Sequence, residues 1–194
     1  MTAFVHETVS STSRYKGPIF EVFSEKVTMS GGGTAQRDVV RNKGAVGIVA
    51  LDEVERVVLI RQYRHAVGQR LWELPAGLRD VEGEDLTATA ARELAEEADV
   101  NAARWDVLID MFNSPGFSDE TIRIFLARDL SEVPDDKRYS RTDEEADLEI
   151  TRVDLDEAVA MIFRGEITNA AAVGGLLAAA RARDEGWATL RPAV

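Results

Sequence analysis

The chain has 194 residues, is 45% hydrophobic and 30% charged, and carries a formal net charge of −12. That is enough for one globular domain with a real core and a small appendage, and the charge makes nucleic acid a poor partner. The lack of cysteine removes disulfides, thiolate catalysis and cysteine–zinc sites together.

No apolar run reaches the roughly 18–20 residues of a membrane span, and Met1–Thr12 has no basic-then-apolar start. A soluble protein of a reducing cytoplasm, with no membrane partner, is expected. Residues 1–42 read as strands: "FVHETVS", "IFEVFSEKVTM" and "QRDVV" are rich in β-branched and aromatic side chains, separated by Gly17-Pro18 and Gly31-Gly32-Gly33. The triple glycine lacks the following Gly-Lys-Ser/Thr and helix of a phosphate loop, so it is a hairpin turn. Three strands bury little surface alone; they must lie on the main domain, residues 43–194, or on another subunit.

The apolar runs "GAVGIVALD" and "RVVLIRQYR", joined by "DEVE", suggest paired strands of a buried sheet, and "LWELPAG" a third, stopped by Pro75 and Gly77. A helix follows, then "WDVLIDMFNSPGFSDE", a strand entering a Pro/Gly loop. "TIRIFLARDL" is the next strand, the stretch from Ser131 to Asp147 an acidic loop, and "LEITRV" the last strand. Asp154 with Glu157 makes a capping box for a helix to Phe163, ended by Gly165. Thr168 or Asn169 caps a final Ala/Leu-rich helix to about Arg183, where Gly174-Gly175 allow close packing. The expected fold is α/β or α+β: a mixed sheet sandwiched between helices, with an N-terminal antiparallel β appendage. Of the two histidines, His6 falls in the N-terminal strands and His65 in a polar loop, where a solvated side chain accounts for it better than serine–histidine chemistry does.

Within the helix after "LPAG", the segment "RELAEE" places Glu93 and Glu97 about 40° apart, with Glu96 about 60° to the other side of Glu93. Ala90, Ala91, Leu94 and Ala98 fall on the opposite stripe, so the helix is amphipathic and packs closely through small residues. Like charges at this spacing repel by roughly 0.2–0.5 kcal/mol per pair. Arg92, four residues before Glu96, offsets one carboxylate, and no basic residue follows it in the helix. Carboxylates converging near the carbonyl of a strand end are hard oxygen ligands of the kind that bind magnesium or manganese.

The stretch from Gly77 to Val100 resembles the Nudix box, Gly-x5-Glu-x7-Arg-Glu-U-x-Glu-Glu-x-Gly-U with U a bulky aliphatic. Gly77, Arg92, Glu93, Leu94, Glu96, Glu97 and Val100 match. One extra residue separates Gly77 from Glu84, and Asp99 stands in place of the second glycine, where a helix end often wants a left-handed backbone that aspartate adopts at some cost. The flanks "GAVGIV", "RQYR", "SPGFSDE" and "GEITNAAAV" resemble the ADP-ribose pyrophosphatase branch of that family, and the resemblance covers nearly the whole chain.

The resemblance implies metal-dependent hydrolysis of ADP-ribose to AMP and ribose 5-phosphate. Another nucleoside-diphosphate sugar, an oxidised nucleotide, diadenosine polyphosphate or a non-catalytic ADP-ribose-sensing domain stand as alternatives. It implies two or three Mg²⁺ or Mn²⁺ held by the Ala76 carbonyl, Glu93 and Glu97, with Glu96 a further ligand. The general base is expected in "TDEEADLEI", at Glu144, with Glu145 the alternative. Arg41 and Arg64 are expected on phosphate and ribose, and Glu73 and Glu120 on ribose hydroxyls or in support of the metals. It also implies a homodimer in which residues 1–42 exchange with the partner subunit.

Overall fold

The computed structural model describes residues 4–79, 83–141 and 147–193; the expected base Glu144 and its alternative Glu145 lie outside these residues. The chain divides into two units, residues 1–44 with 112–121 and residues 45–111 with 122–194. No helix among the described residues is long and apolar enough to cross a membrane.

The first unit is built on an antiparallel sheet, β1 (Thr8–Lys16), β2 (Phe20–Thr28) and β3 (Thr34–Asn42), in that order. The triple glycine makes the β2–β3 turn as expected, with Gly32 and Gly33 at φ +86° and +75° and the Gly32 amide donating to the Met29 carbonyl at 2.9 Å. The first strand differs from the expectation. It begins at Thr8 and runs through "SSTSRYK", which carries no apolar alternation because β1 is exposed at every position. Its ladder to β2 and side-chain bonds such as Ser13 Oγ to Glu21 Oε1, 2.7 Å, hold it instead.

The second unit contains two sheets. One has the order β11 (Arg191–Pro192), β8 (Val100–Phe112), β9 (Thr121–Glu132), β4 (Ala45–Ala50) and β7 (Ala76–Leu78); the other runs β10 (Glu149–Asp154), β5 (Arg56–Arg64), β6 (Gln69–Glu73). β4 and β9 are parallel, and the remaining pairs with recorded register are antiparallel. Contrary to the reading of β4 and β5 as paired strands, they belong to different sheets, and the bridge recorded between the two runs is the isolated Leu51–Val57. Both runs are apolar on both faces, so their pattern marks burial and leaves the partner open. A further short strand, β11, lies beyond "LEITRV".

Strand alternation sorts the core into two layers. Val46, Ile48, Ala50, Val58, Phe125 and Ala127 join Ala90, Leu94 and Ala98 of α1 (Leu86–Ala98). Val49, Leu51, Val57, Leu59, Ile122, Ile124 and Leu126 meet α2 (Leu155–Phe163) and α3 (Ala170–Asp184) on the other side. Asp154 caps α2 by accepting from the Asp156 and Glu157 amides, Gly165 follows it at φ +76°, and Asn169 caps α3 through the Ala172 amide at 3.0 Å.

The glycine pair in α3 lets it sit against the sheet. A Cβ on Gly174 would meet Met111 Sδ at 2.5 Å, and one on Gly175 would meet Leu74 Cδ1 at 2.7 Å and Ile124 at 3.2 and 3.3 Å. Overpacking of this kind costs about 1–3 kcal/mol, so Gly175→Ala is expected to lower Tm by roughly 2–4 °C per kcal/mol in calorimetry. An unchanged Tm would mean that α3 does not depend on this contact.

Candidate active site

α1 starts where Asp85 caps it, accepting from Thr87 N at 2.8 Å and Ala88 N at 3.3 Å. Those amides, Thr87 foremost, hold the Asp85 carboxyl below the usual aspartate range. The helix ends at Asp99, whose φ of 56° and ψ of 32° are left-handed, as the missing glycine requires. Between these caps the stripe Ala90–Leu94–Ala98 is buried, Glu97 is buried at its flank, and Glu93 and Glu96 follow further round.

Two of these carboxylates turn back onto the end of the preceding strand. Glu97 is 4% exposed, and its Oε2 accepts the Ala76 amide at 2.8 Å. Glu93 lies so close to Gly77 that a Cβ there would fall 2.0–2.3 Å from its carboxyl carbon, Oε1 and Cγ. Only glycine leaves room for that side chain, which accounts for the first residue of the motif. Arg92 gathers the rest of the face: Nη1 stands 2.8 Å from Glu93 Oε1 and 3.2 Å from Glu96 Oε2, and Nη2 stands 3.5 Å from Glu84 Oε2. Burial pulls the Arg92 guanidinium down, but the charges of Glu93 and Glu96 outweigh it, and the group titrates above ordinary arginine.

Among the described residues, no three His, Cys, Asp or Glu side chains stand close enough to form a ready cation cluster. The donor set still fits a hard cation. Two carboxylates of one helix converge on the Ala76–Gly77 backbone, in space that a Cβ would fill, and oxygen donors of this type suit magnesium and manganese.

A second constellation lies on the β5–β6 hairpin. Glu73 is 2% exposed; Arg64 Nε lies 3.1 Å from each of its oxygens, Arg64 Nη2 lies 2.7 Å from Oε2, and Gln62 Nε2 lies 3.3 Å from Oε2. Both carboxylate oxygens are thus engaged by neighbours in the hairpin, and Glu73 fixes the guanidinium of Arg64 whatever else it does. Gln62 escaped the sequence reading because a glutamine in an apolar strand carries no motif; its burial beside a glutamate is the signal that the structure supplies.

The remaining expected residues belong to the first unit. Arg41, at the end of β3, pairs with Glu25 at 3.0 Å and Asp119 at 3.3 Å, and the Glu25 hydrogen bond first of all raises its pKa. Glu120 is half-buried, its amide donating to Ser118 Oγ at 3.1 Å and its carbonyl accepting from Asn113 N at 3.2 Å. The structure therefore brings Ala76, Glu93, Glu96 and Glu97 together on one unit, and Arg64 with Glu73 on the neighbouring hairpin of that unit.

Sheet, helices and site define an α/β domain with a carboxylate face whose oxygen donors are of the type that suits a hard cation. Residues 41–172 match the NUDIX domain family model, and the chain belongs to the Nudix family, which generally uses divalent metal ions. It is 46% identical over 186 residues to the ADP-ribose pyrophosphatase of Mycobacterium tuberculosis, covering 96% of this chain and 88% of that one. It is 29% identical over 170 residues to the ADP-ribose pyrophosphatase of Bacillus subtilis, covering 88% and 90%. A crystal structure of an ADP compounds hydrolase shares the fold, with a TM-score of 0.80 at 20% identity over 96% of this chain and 98% of its own.

The Gly77 contact yields a sharp expectation. In Gly77→Ala the new Cβ must displace the Glu93 carboxylate, the movable end of a side chain, so the fold is expected to hold while hydrolytic activity falls about 100-fold or more. Circular dichroism and a diphosphatase assay on the same preparation check both halves; full activity would show that Glu93 does not need this seat.

Proposed function

We propose that the protein hydrolyses the diphosphate bond of ADP-ribose to AMP and ribose 5-phosphate. The observation that carries the reading is the convergence of Glu93 and Glu97 on Ala76–Gly77, in a chain 46% identical over nearly its whole length to an ADP-ribose pyrophosphatase. Two or three Mg²⁺ or Mn²⁺, held by the Ala76 carbonyl, Glu93, Glu97 and Glu96, would neutralise the diphosphate, polarise its phosphorus and lower the pKa of water. Arg92 orients the carboxylates. Arg64, held by Glu73, and Arg41 bind phosphate and ribose through the guanidinium fork, and Glu120 supports the ribose or the metals. Glu144 takes the proton as water oxygen attacks phosphorus and the bridging P–O bond breaks, leaving one phosphate on each product; Glu145 is the alternative base.

The functional unit is a homodimer in which residues 1–42 pack on the partner subunit. β1 is exposed along its whole length, and Val9, Tyr15, Ile19 and Phe20 stand open to solvent in the isolated chain, apolar surface that a second copy would cover. Sedimentation at micromolar concentration should give a dimer; a stable monomer speaks against the exchange.

A hydrolysis panel of ADP-ribose, NADH, GDP-mannose and 8-oxo-dGTP, with and without Mg²⁺ or Mn²⁺, tests the substrate. ADP-ribose should turn over fastest and only with metal; a clear preference for another member would reassign the enzyme within the family. Glu93→Gln and Glu97→Gln should each remove most of the activity. For Glu93→Gln, apo stability should stay within about 1 kcal/mol, since the exchange removes one charge from a face where Glu93, Glu96 and Glu84 already crowd the same arginine; unfolding would mean that the face is structural.

Glu144→Gln keeps shape and a hydrogen-bonding end but cannot accept a proton, so kcat should drop roughly 10²–10⁴-fold. Full activity there with a large loss in Glu145→Gln would move the role by one residue.

A further inference from the structure

Three carboxylates among the described residues are buried. Glu73 and Glu97 belong to the site described above; Glu25, 8% exposed on β2, does not. An ionised group taken out of water is costly unless a partner charge and hydrogen bonds compensate it. The sheet around Glu25 is no core, since β1 beside it is exposed at every position. What Glu25 accepts is therefore informative. Ser11 Oγ donates to its Oε1 at 3.3 Å, and Arg41 Nη2 donates to the same oxygen at 3.0 Å.

The ladder between β2 and β3 does not by itself lead to this pair. The residues directly opposite are Glu21 with Arg41 and Glu25 with Arg37, and opposite charges facing each other across a sheet favour pairing. Neither pair is used. Glu21 takes Ser13 Oγ at 2.7 Å, and Arg37 gives Nη1 to the Gln36 carbonyl at 2.8 Å. Arg41 instead runs along the sheet past the rung Phe23–Val39 to reach Glu25.

Its other terminal nitrogen is held as well. Arg41 Nη1 stands 3.3 Å from Asp119 Oδ2, and Asp119 Oδ1 accepts the Asn42 amide at 2.8 Å. Asp119 is itself tied to β3: its amide donates to the Val40 carbonyl at 3.2 Å, and the Val40 amide donates to the Phe117 carbonyl at 2.8 Å. The guanidinium is thus fixed from two sides by groups that are themselves fixed. It is not used up. Arginine carries five N–H donors, the two bonds engage one on each terminal nitrogen, and 44% of the side chain is exposed.

This repeats, in the first unit, the arrangement of Arg64 on Glu73: a half-exposed guanidinium laid on a buried glutamate. We infer that Glu25 is a positioning residue that, with Asp119, holds the Arg41 guanidinium extended for phosphate or ribose oxygens of the substrate. The inference rests on the role proposed for Arg41 above. A free arginine gives up its rotamer freedom on meeting a ligand. One already seated on Glu25 has given up part of it beforehand, which lowers the cost of binding.

The test is a double-mutant cycle on the full-length protein with ADP-ribose and Mg²⁺. Glu25→Leu keeps the buried bulk and suits a strand, and the arginine it releases is half-exposed and still paired with Asp119, so Tm should stay within a few degrees of wild type. KM should rise roughly 3–10-fold with kcat within about threefold, the size expected from freeing one long side chain. Glu25→Gln keeps an acceptor for Arg41 and should return KM to within about twofold of wild type. Arg41→Ala should raise KM about 10-fold or more, and adding Glu25→Leu to it should change nothing further, because Glu25 acts through Arg41. Wild-type KM in Glu25→Leu beside a raised KM in Arg41→Ala overturns the inference. So do losses that multiply in the double variant, or a fall in Tm with KM unmoved, which would make Glu25 a structural residue. Wild-type KM in Arg41→Ala strikes the role of Arg41 and the inference with it, and no turnover of ADP-ribose by the wild-type chain strikes the proposed reaction and both with it, so the failures are told apart.

Discussion

Two carboxylates of α1 have to reach the backbone of Ala76 and Gly77, and the rest of the second unit is arranged so that they can. Gly77 has no Cβ to keep Glu93 away, and the Ala76 amide is pointed at Glu97. That backbone is itself fixed by β4, through the register Val46–Gly77 and Gly47–Ala76 and the bond from Ile48 N to the Pro75 carbonyl at 2.9 Å. The helix reaches the same strand because its inward stripe is mostly alanine: Ala90 and Ala98 flank Leu94 against Val46, Ile48 and Ala50. Larger residues there would lift α1 from the sheet, and interiors packed at crystal density pass such a displacement on rather than absorb it. The hydrophobic layer therefore sets the distance at which the acidic face works.

That face is costly without a cation, and the structure shows how the cost is contained. Arg92 stands against three carboxylates, Glu84, Glu93 and Glu96. Partly exposed pairs of this sort are individually worth little, so Arg92 shapes the face more than it stabilises the fold. Glu73 is different: it is nearly inaccessible and bonded to Arg64 and Gln62. Removing one partner of such a carboxylate leaves a buried acceptor unsatisfied, a loss of about 1–3 kcal/mol or more. Arg64 is thus tied to one buried carboxylate, whereas Arg92 is shared among three.

Much of this was legible in the sequence. The helix with its acidic face, the N-cap at Asp154, the cap at Asn169 and the close packing at Gly174-Gly175 follow from local rules, and local rules hold wherever neighbours in sequence are the partners. The reciprocal arm of the expected capping box is not formed, because Glu157 Oε1 bonds Arg164 instead. What escaped was decided by distant partners. β1 is a strand because β2 is beside it, although its own residues bury nothing. β4 and β5 could not be assigned to different sheets from runs that are apolar on both faces. The Arg64–Glu73–Gln62 cluster depends on hairpin register: Ile60 faces Glu73 and Gln62 faces Leu71, so that residues 62, 64 and 73 share one face, and a slip of one residue would part them. Glu25 carries no motif at all; what marks it is Arg41, 16 positions later on the neighbouring strand.

The net charge of −12 sets the terms on which an anionic diphosphate can approach. At physiological ionic strength, fields between exposed charges fade over about 8 Å, so the total charge of the surface matters less than the groups within that reach of the phosphates. Under the reading proposed above, the second unit meets the diphosphate with two elements of opposite sign: the carboxylates of α1, which repel phosphate until a cation neutralises them, and Arg64, held in place by the carboxylate of Glu73. A guanidinium on an exposed, unrestrained side chain would lose conformational freedom each time it met phosphate. Seated on Glu73, it has already lost part of it. The charge of the buried Glu73 is thus spent on aiming the arginine, and under the proposed reading that aim, more than the net charge of the chain, decides how a phosphate is met.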